Sequence, residues 1–172
     1  MSLIKTNAIQ TVAGLPLLNS TGGIIQVAYG DMGSNTATIA SADNAVIPNC
    51  SVSITPTRST SKILLRATVI SNMLYVSSYG FARNGTNIGG NNNTNSANAI
   101  VTDYRGQGGG IEGGCAAYHY QYLDSPGTTS TIIYAPTACS SWNGTTYTLT
   151  INDRSSGDMR GLTSIVAMEI LA

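Results

Sequence analysis

The sequence predicts an all-β fold: an antiparallel β-sandwich of jelly-roll type, entered through an extended N-terminal arm. Three observations carry this. Short runs rich in Val, Ile, Thr and Tyr recur along the chain, many with the two-residue alternation that gives a strand one buried face. Turn residues separate them at frequent intervals, with pairs such as Asn84-Gly85 and Pro126-Gly127. No segment shows an amphipathic helical period with caps. A closed barrel fits the same pattern, and strand order is not legible from it.

Residues 1–23 differ from the rest of the chain. Their apolar side chains, Leu3, Ile4, Ile9, Val12, Leu15, Leu17 and Leu18, keep neither a two-residue nor a 3.6-residue period. We read an extended arm. It cannot bury those side chains alone, so they need another surface, of its own domain or of a neighbouring subunit. The sandwich domain is assigned to residues 24–172.

Strands are expected at 24–29, weakly at 36–39, and at 50–55, where Val52 and Ile54 share a face before Pro56. The strongest apolar run is 62–75. Ile63, Leu65, Ala67 and Val69 should face the core, and Lys62, Leu64, Arg66 and Thr68 solvent or a partner. A helix would place Lys62 and Arg66 on one face, but the Val, Ile, Thr and Tyr after them favour a strand. Asn84-Gly85 joins 79–83 to 86–88 as a hairpin, since both residues tolerate the positive φ of a type I′ turn. Two Gly/Asn-rich loops, 89–98 and 105–114, bracket a short strand at 99–104.

Residues 115–123 form the next strand, with Tyr118, Tyr120 and Tyr122 on one face and Cys115, Ala117, His119 and Gln121 on the other. After the turn at Asp124, Ser125, Pro126 and Gly127, strands are expected at 128–134 and 146–151. In the latter, Tyr147, Leu149 and Ile151 share a face, and the Asn143-Gly144 turn precedes it. The closing strand, 162–171, is apolar enough to require pairing inside a sheet.

Composition narrows the function. Hydrophobic residues make up 42 % of the 172 residues, and charged residues only 9 %, against roughly 25 % in an ordinary soluble domain. The polarity comes from neutral residues interleaved with apolar ones, which excludes a disordered chain. Eight basic and eight acidic residues cancel, and Lys5, Arg58, Lys62, Arg66, Arg83, Arg105, Arg154 and Arg160 are scattered. Nucleic acid is therefore not an expected partner. Low net charge also removes repulsion between copies. No signal peptide or apolar span is present, so synthesis in a cytoplasm without membrane insertion is expected. The Asn-x-Ser/Thr triplets at Asn19, Asn49, Asn84, Asn92 and Asn143 then read as chance.

Cys50, Cys115 and Cys139 are odd in number and unpaired in spacing, which favours buried thiols over disulfides. Cys115 and the single histidine, His119, share a strand face but are too few ligands for zinc, and no metal or cofactor is expected. The loop from Asn152 to Asp158 lacks the acidic residue that closes a calcium loop. No nucleophile elbow, zincin motif or phosphate loop is present, so no catalytic residue is assigned. Asp103, Glu112 and Asp124 lie near loops without the placement across one bond that a glycosidase needs.

Candidate binding residues are Tyr104, Arg105, Gln107 and Glu112, at and beyond the base of the second Gly-rich loop, with Trp142 before its Asn-Gly turn. Their rings and polar groups suit stacking and hydrogen bonding to sugars or partner side chains; for Tyr104 and Trp142 the favoured reading is as caps on the ends of the sandwich core. The row Tyr118, Tyr120 and Tyr122 suits either the core or an oligomer interface.

The arm Leu3-Ile-Lys-Thr-Asn-Ala-Ile-Gln-Thr-Val-Ala-Gly-Leu-Pro-Leu-Leu-Asn-Ser-Thr-Gly22 resembles a segment that recurs in structural proteins of tailed phages, notably cyanophages and other marine phages. Ser51-Val-Ser-Ile-Thr-Pro56, Ser61-Lys-Ile-Leu-Leu65, Tyr122-Leu-Asp-Ser-Pro126 and Ser164-Ile-Val-Ala-Met-Glu-Ile170 resemble blocks in the same order in those proteins. Where the family commonly has a charged or polar residue, this chain has Leu15. The resemblance implies a non-enzymatic β-sandwich module of the virion, associated with tail fibres or spikes and often trimeric. It leaves two roles as expectations. One is a fibre or spike module attached to other virion proteins by its arm and contacting a host glycan or protein; the other is a capsid decoration protein that cements the head shell.

Overall fold

The computed structural model describes residues 22–72, 76–89, 99–104, 114–142, 145–153 and 161–172. Arm residues 1–21 lie outside that set. The strands are β1 (Ile24–Asp31), β2 (Ala37–Ile39), β3 (Ala45–Val46), β4 (Val52–Ile54), β5 (Lys62–Asn72), β6 (Val76–Arg83) and β7 (Thr86–Ile88). They continue as β8 (Val101–Tyr104), β9 (Cys115–Asp124), β10 (Ile132–Cys139), β11 (Ser141–Trp142), β12 (Thr145–Thr146), β13 (Leu149–Ile151) and β14 (Ser164–Ile170). No helix occurs among the described residues.

Two antiparallel sheets form the sandwich. In the first, β1 pairs with β14, β14 with β5 and β5 with β9, while β13 and β2 extend the β14 and β1 positions past Ile70. In the second, β3 and β4 share one edge against β10, β10 pairs with β6, and β7 and β8 share the other edge. The pairs β1–β14, β4–β10, β5–β9 and β6–β8 join strands from opposite ends of the chain inward. A long hairpin rolled onto itself gives that order, and this is the jelly roll that the sequence predicts. The apolar closing strand lies between β1 and β5, so neither of its edges is left open.

Alternation places the core. On β5, Ile63, Leu65, Ala67 and Val69 are buried as expected, and they meet Tyr79 and Phe81 of β6 and Ile132 and Tyr134 of β10 across the sandwich. The Asn84-Gly85 turn has φ of 49° and 79°, as a type I′ hairpin requires. Asn84 also accepts the Ile133 N–H on Oδ1 at 2.9 Å and donates its own N–H to the Ile133 carbonyl at 2.8 Å, fixing the hairpin to β10.

Several boundaries differ from those expected from sequence. Of the run expected at 62–75, Lys62–Asn72 forms β5 and 73–75 lie outside the described residues, while the run at 146–151 divides into β12 and β13. Just before β1, the Gly22 N–H donates to the Leu171 carbonyl and the Gly23 carbonyl accepts from the Leu171 N–H. The strand expected at 128–134 instead spans Ile132–Cys139 and passes through Pro136. The Pro136 carbonyl accepts from Ile47 at 2.9 Å, and its missing N–H falls where the neighbouring edge passes from β3 to β4. A proline is tolerated where the ladder is interrupted in this way.

Candidate functional site

The tyrosine row turns inward. Tyr118 and Tyr120 are buried, and Tyr122 is half-buried with its ring against Gly89, where a Cβ would come within 2.7 Å of a ring carbon. Tyr118 stacks on Tyr79 with centroids 4.4 Å apart, and Tyr120 meets Phe81 at 4.9 Å. Their hydroxyls cross to the second sheet: Tyr118 donates to Asp103 Oδ2 at 2.7 Å and Tyr120 to the Gly80 carbonyl at 3.2 Å. The expectation of an oligomer interface at these residues is corrected in favour of the core. The reason is register, since pairing with β5 turns the even-numbered residues of β9 toward Tyr79 and Phe81.

That same register turns Ala117, His119, Gln121 and Leu123 outward. Across the outer face of the first sheet, side chains align in rows perpendicular to the strands. One row is apolar throughout: Val27, Met168, Leu64 and Leu123. Beside it run Tyr29, Val166, Arg66 and Gln121, and then Asp31, Ser164, Thr68 and His119. Val27, Tyr29 and Leu123 are each more than half exposed, at 62 %, 57 % and 51 %.

Residues of the last two rows, with Met168, line an open depression of about 500 Å³, within the roughly 300–1,000 Å³ of small-ligand sites. Small Thr68 and Ser164 lie between larger neighbours, and that size difference makes the depression. Arg66, His119 and Gln121 line it with polar groups, Val166 and Met168 with apolar ones, and Ala67 and Tyr120 complete the floor. The Thr68 hydroxyl and His119 Nδ1 are 2.9 Å apart, which orients the imidazole with Nε2 away from the bond. No carboxylate neighbours Arg66 on this face: Val166 and Gln121 flank it across the strands, Leu64 and Thr68 along its own. It makes no ion pair among the described residues.

The residues singled out from sequence fare differently. Arg105, Gln107 and Glu112 lie outside the described residues, and of Tyr104 and Trp142 only the backbone is described. Tyr104 pairs with Val76, whose carbonyl accepts from Ser140 Oγ. The strand ends carrying Tyr104 and Trp142 therefore sit together. From sequence, Arg66 and Thr68 were expected to face solvent or a partner, and His119 and Gln121 only to lie on the face of their strand opposite the tyrosines, so the four were not joined into a site. Alternation was the available signal, but it does not say which strands are neighbours.

Burial pushes the Cys50 thiol up to about 12, with the Asp31 charge adding to the effect. Cys139 is raised chiefly by burial, and its Sγ lies 2.8 Å from Ser78 Oγ. No group of three or more His, Cys, Asp or Glu side chains suited to a metal occurs among the described residues. No helix there is long and apolar enough to cross a membrane.

No protein-family model and no curated protein matches the chain. Solved structures similar to it include two of infectious bursal disease virus. The D431N mutant VP2 protein in derived T=1 particles is 12 % identical over 86 % of this chain and 36 % of that one, with a TM-score of 0.35. The structure of the Gx strain is 13 % identical over 98 % of this chain and 43 % of that one, with a TM-score of 0.36. The chain thus spans less than half the length of either. Scores this low fall short of a shared fold, and no function is carried over from them.

Proposed function

We propose that the chain is a non-enzymatic structural protein of a tailed-phage virion, a tail-fibre or spike module held to the particle by its N-terminal arm and turned toward the host surface. The reading rests on the resemblance of the arm and of the blocks at 51–56, 61–65, 122–126 and 164–170 to segments of such proteins. The jelly roll is compatible with it, as a rigid scaffold with an open sheet face. A low-charge surface and an apolar arm also suit repeated copies, and a homotrimer is the assembly we propose.

Immunogold electron microscopy of intact particles tests the assignment. Label at the tail tip supports the fibre or spike role, label over the head surface supports the capsid decoration role instead, and unlabelled particles overturn both. Light scattering of the full chain tests the trimer, and a monomer at tens of micromolar overturns it.

A further inference from the structure

We propose that the cleft on the outer face of the first sheet binds an acidic saccharide, with Arg66 pairing the sugar carboxylate. The proposal deepens the host-facing role above and rests on it. Its ground is the chemistry brought together by β14, β5 and β9. A sugar ring presents hydroxyls at its rim and C–H patches on its faces, so its site needs planar hydrogen-bonding groups beside apolar surface. Gln121 and His119 Nε2 supply the first, and Val166 and Met168 the second, with the exposed Tyr29 ring beside Val166.

Charge selects within that class. Arg66 is an exposed guanidinium with no acidic neighbour on the face, and its planar fork matches a carboxylate with two parallel hydrogen bonds. The nearest acidic group in the rows is Asp31 on β1, already accepting the Gly33 N–H at 2.7 Å. A bare phosphate fits less well, because a single arginine would meet a doubly charged group and the apolar wall would face nothing. A wholly apolar ligand would strip water from Arg66 and Gln121 without return.

The test is calorimetric titration of the full chain with trigalacturonate and, in parallel, with its methyl ester, which keeps the shape and removes the charge. The expected result is saturable binding of the acid, with the ester about tenfold weaker or worse, the scale of one lost charge-assisted pair. Arg66→Ala should weaken the acid by a similar factor at unchanged melting temperature, and Arg66→Lys should restore part of it, since a point charge replaces the fork. Absence of binding by the acid, equal binding of the ester, or full affinity in Arg66→Ala each overturns the proposal. These outcomes are separate from the virion assignment. A cleft that binds in a chain absent from particles overturns only that assignment, and a silent cleft in a chain located at the tail tip overturns only the saccharide.

Discussion

Arg83 and Asp124 tie the two sheets together at one end of the sandwich. Nη1 of Arg83, on β6, lies 3.2 Å from Oδ1 and 3.1 Å from Oδ2 of Asp124, at the end of β9. Tyr134 of β10, directly paired with Arg83, donates its hydroxyl to the same carboxylate at 2.6 Å. Asp124 is buried while Arg83 keeps contact with water, so the carboxylate depends on these two donors.

Asp124→Ala should therefore destabilise the fold by about 2–3 kcal/mol, because a phenol and part of a guanidinium lose their acceptor. Asp124→Asn, which keeps an acceptor oxygen but removes the charge, should cost less. Urea unfolding of the three proteins checks both the sign and the order. Equal stability of the alanine variant and the parent would show that the tie is not stabilising.

Stability should hold to about pH 10 and fall above it. Burial raises the phenols of Tyr79, Tyr120 and Tyr134 above their ordinary value, and at Tyr134 the bond to Asp124 adds to the effect. A group whose folded value is raised contributes fully below its unfolded value, and that contribution is lost as pH rises toward the folded one. The measurement is absorbance at 295 nm during alkaline titration, followed alongside circular dichroism. A part of the phenolate signal should appear only in the step where the sheet signal is lost.

Gly30→Ala should be severely destabilising. A Cβ on Gly30 would lie 2.0 Å from the Ser51 carbonyl oxygen, a backbone atom just before β4 that cannot swing aside. Gly85→Ala is the contrast. Nothing stands near its Cβ position, and only the φ of 79° opposes it. We expect Gly85→Ala to cost about 1–2 kcal/mol and Gly30→Ala to cost more, read from thermal melts of the two variants.

Native protein should expose at most one reactive thiol to an aromatic disulfide reagent at pH 8, rising to three on denaturation. Cys50 and Cys139 are buried with raised thiols, and Cys115 alone is half-exposed. Rapid reaction of all three in the native state would show that the interior of the sandwich is open to the reagent.

Alternation along β5, β9 and β14, the Asn84-Gly85 hairpin and the absence of caps are local properties. The sequence by itself therefore determined that the chain is all-β, which side of β5 is buried, and where this tight turn falls. It also left an apolar final strand that had to be paired. Tertiary structure decided what local pattern cannot express. Tyr118 and Tyr120 went to the core because pairing with β5 put them opposite Tyr79 and Phe81, while an aromatic row in the sequence suits core and interface alike. Strand β10 continued through Pro136 because the adjoining edge is broken between β3 and β4, a fact about another part of the chain. Arg66, His119 and Ser164 meet on one face only because β14, β5 and β9 are neighbours in a rolled hairpin, and closure of that roll depends on contacts between residues distant in sequence.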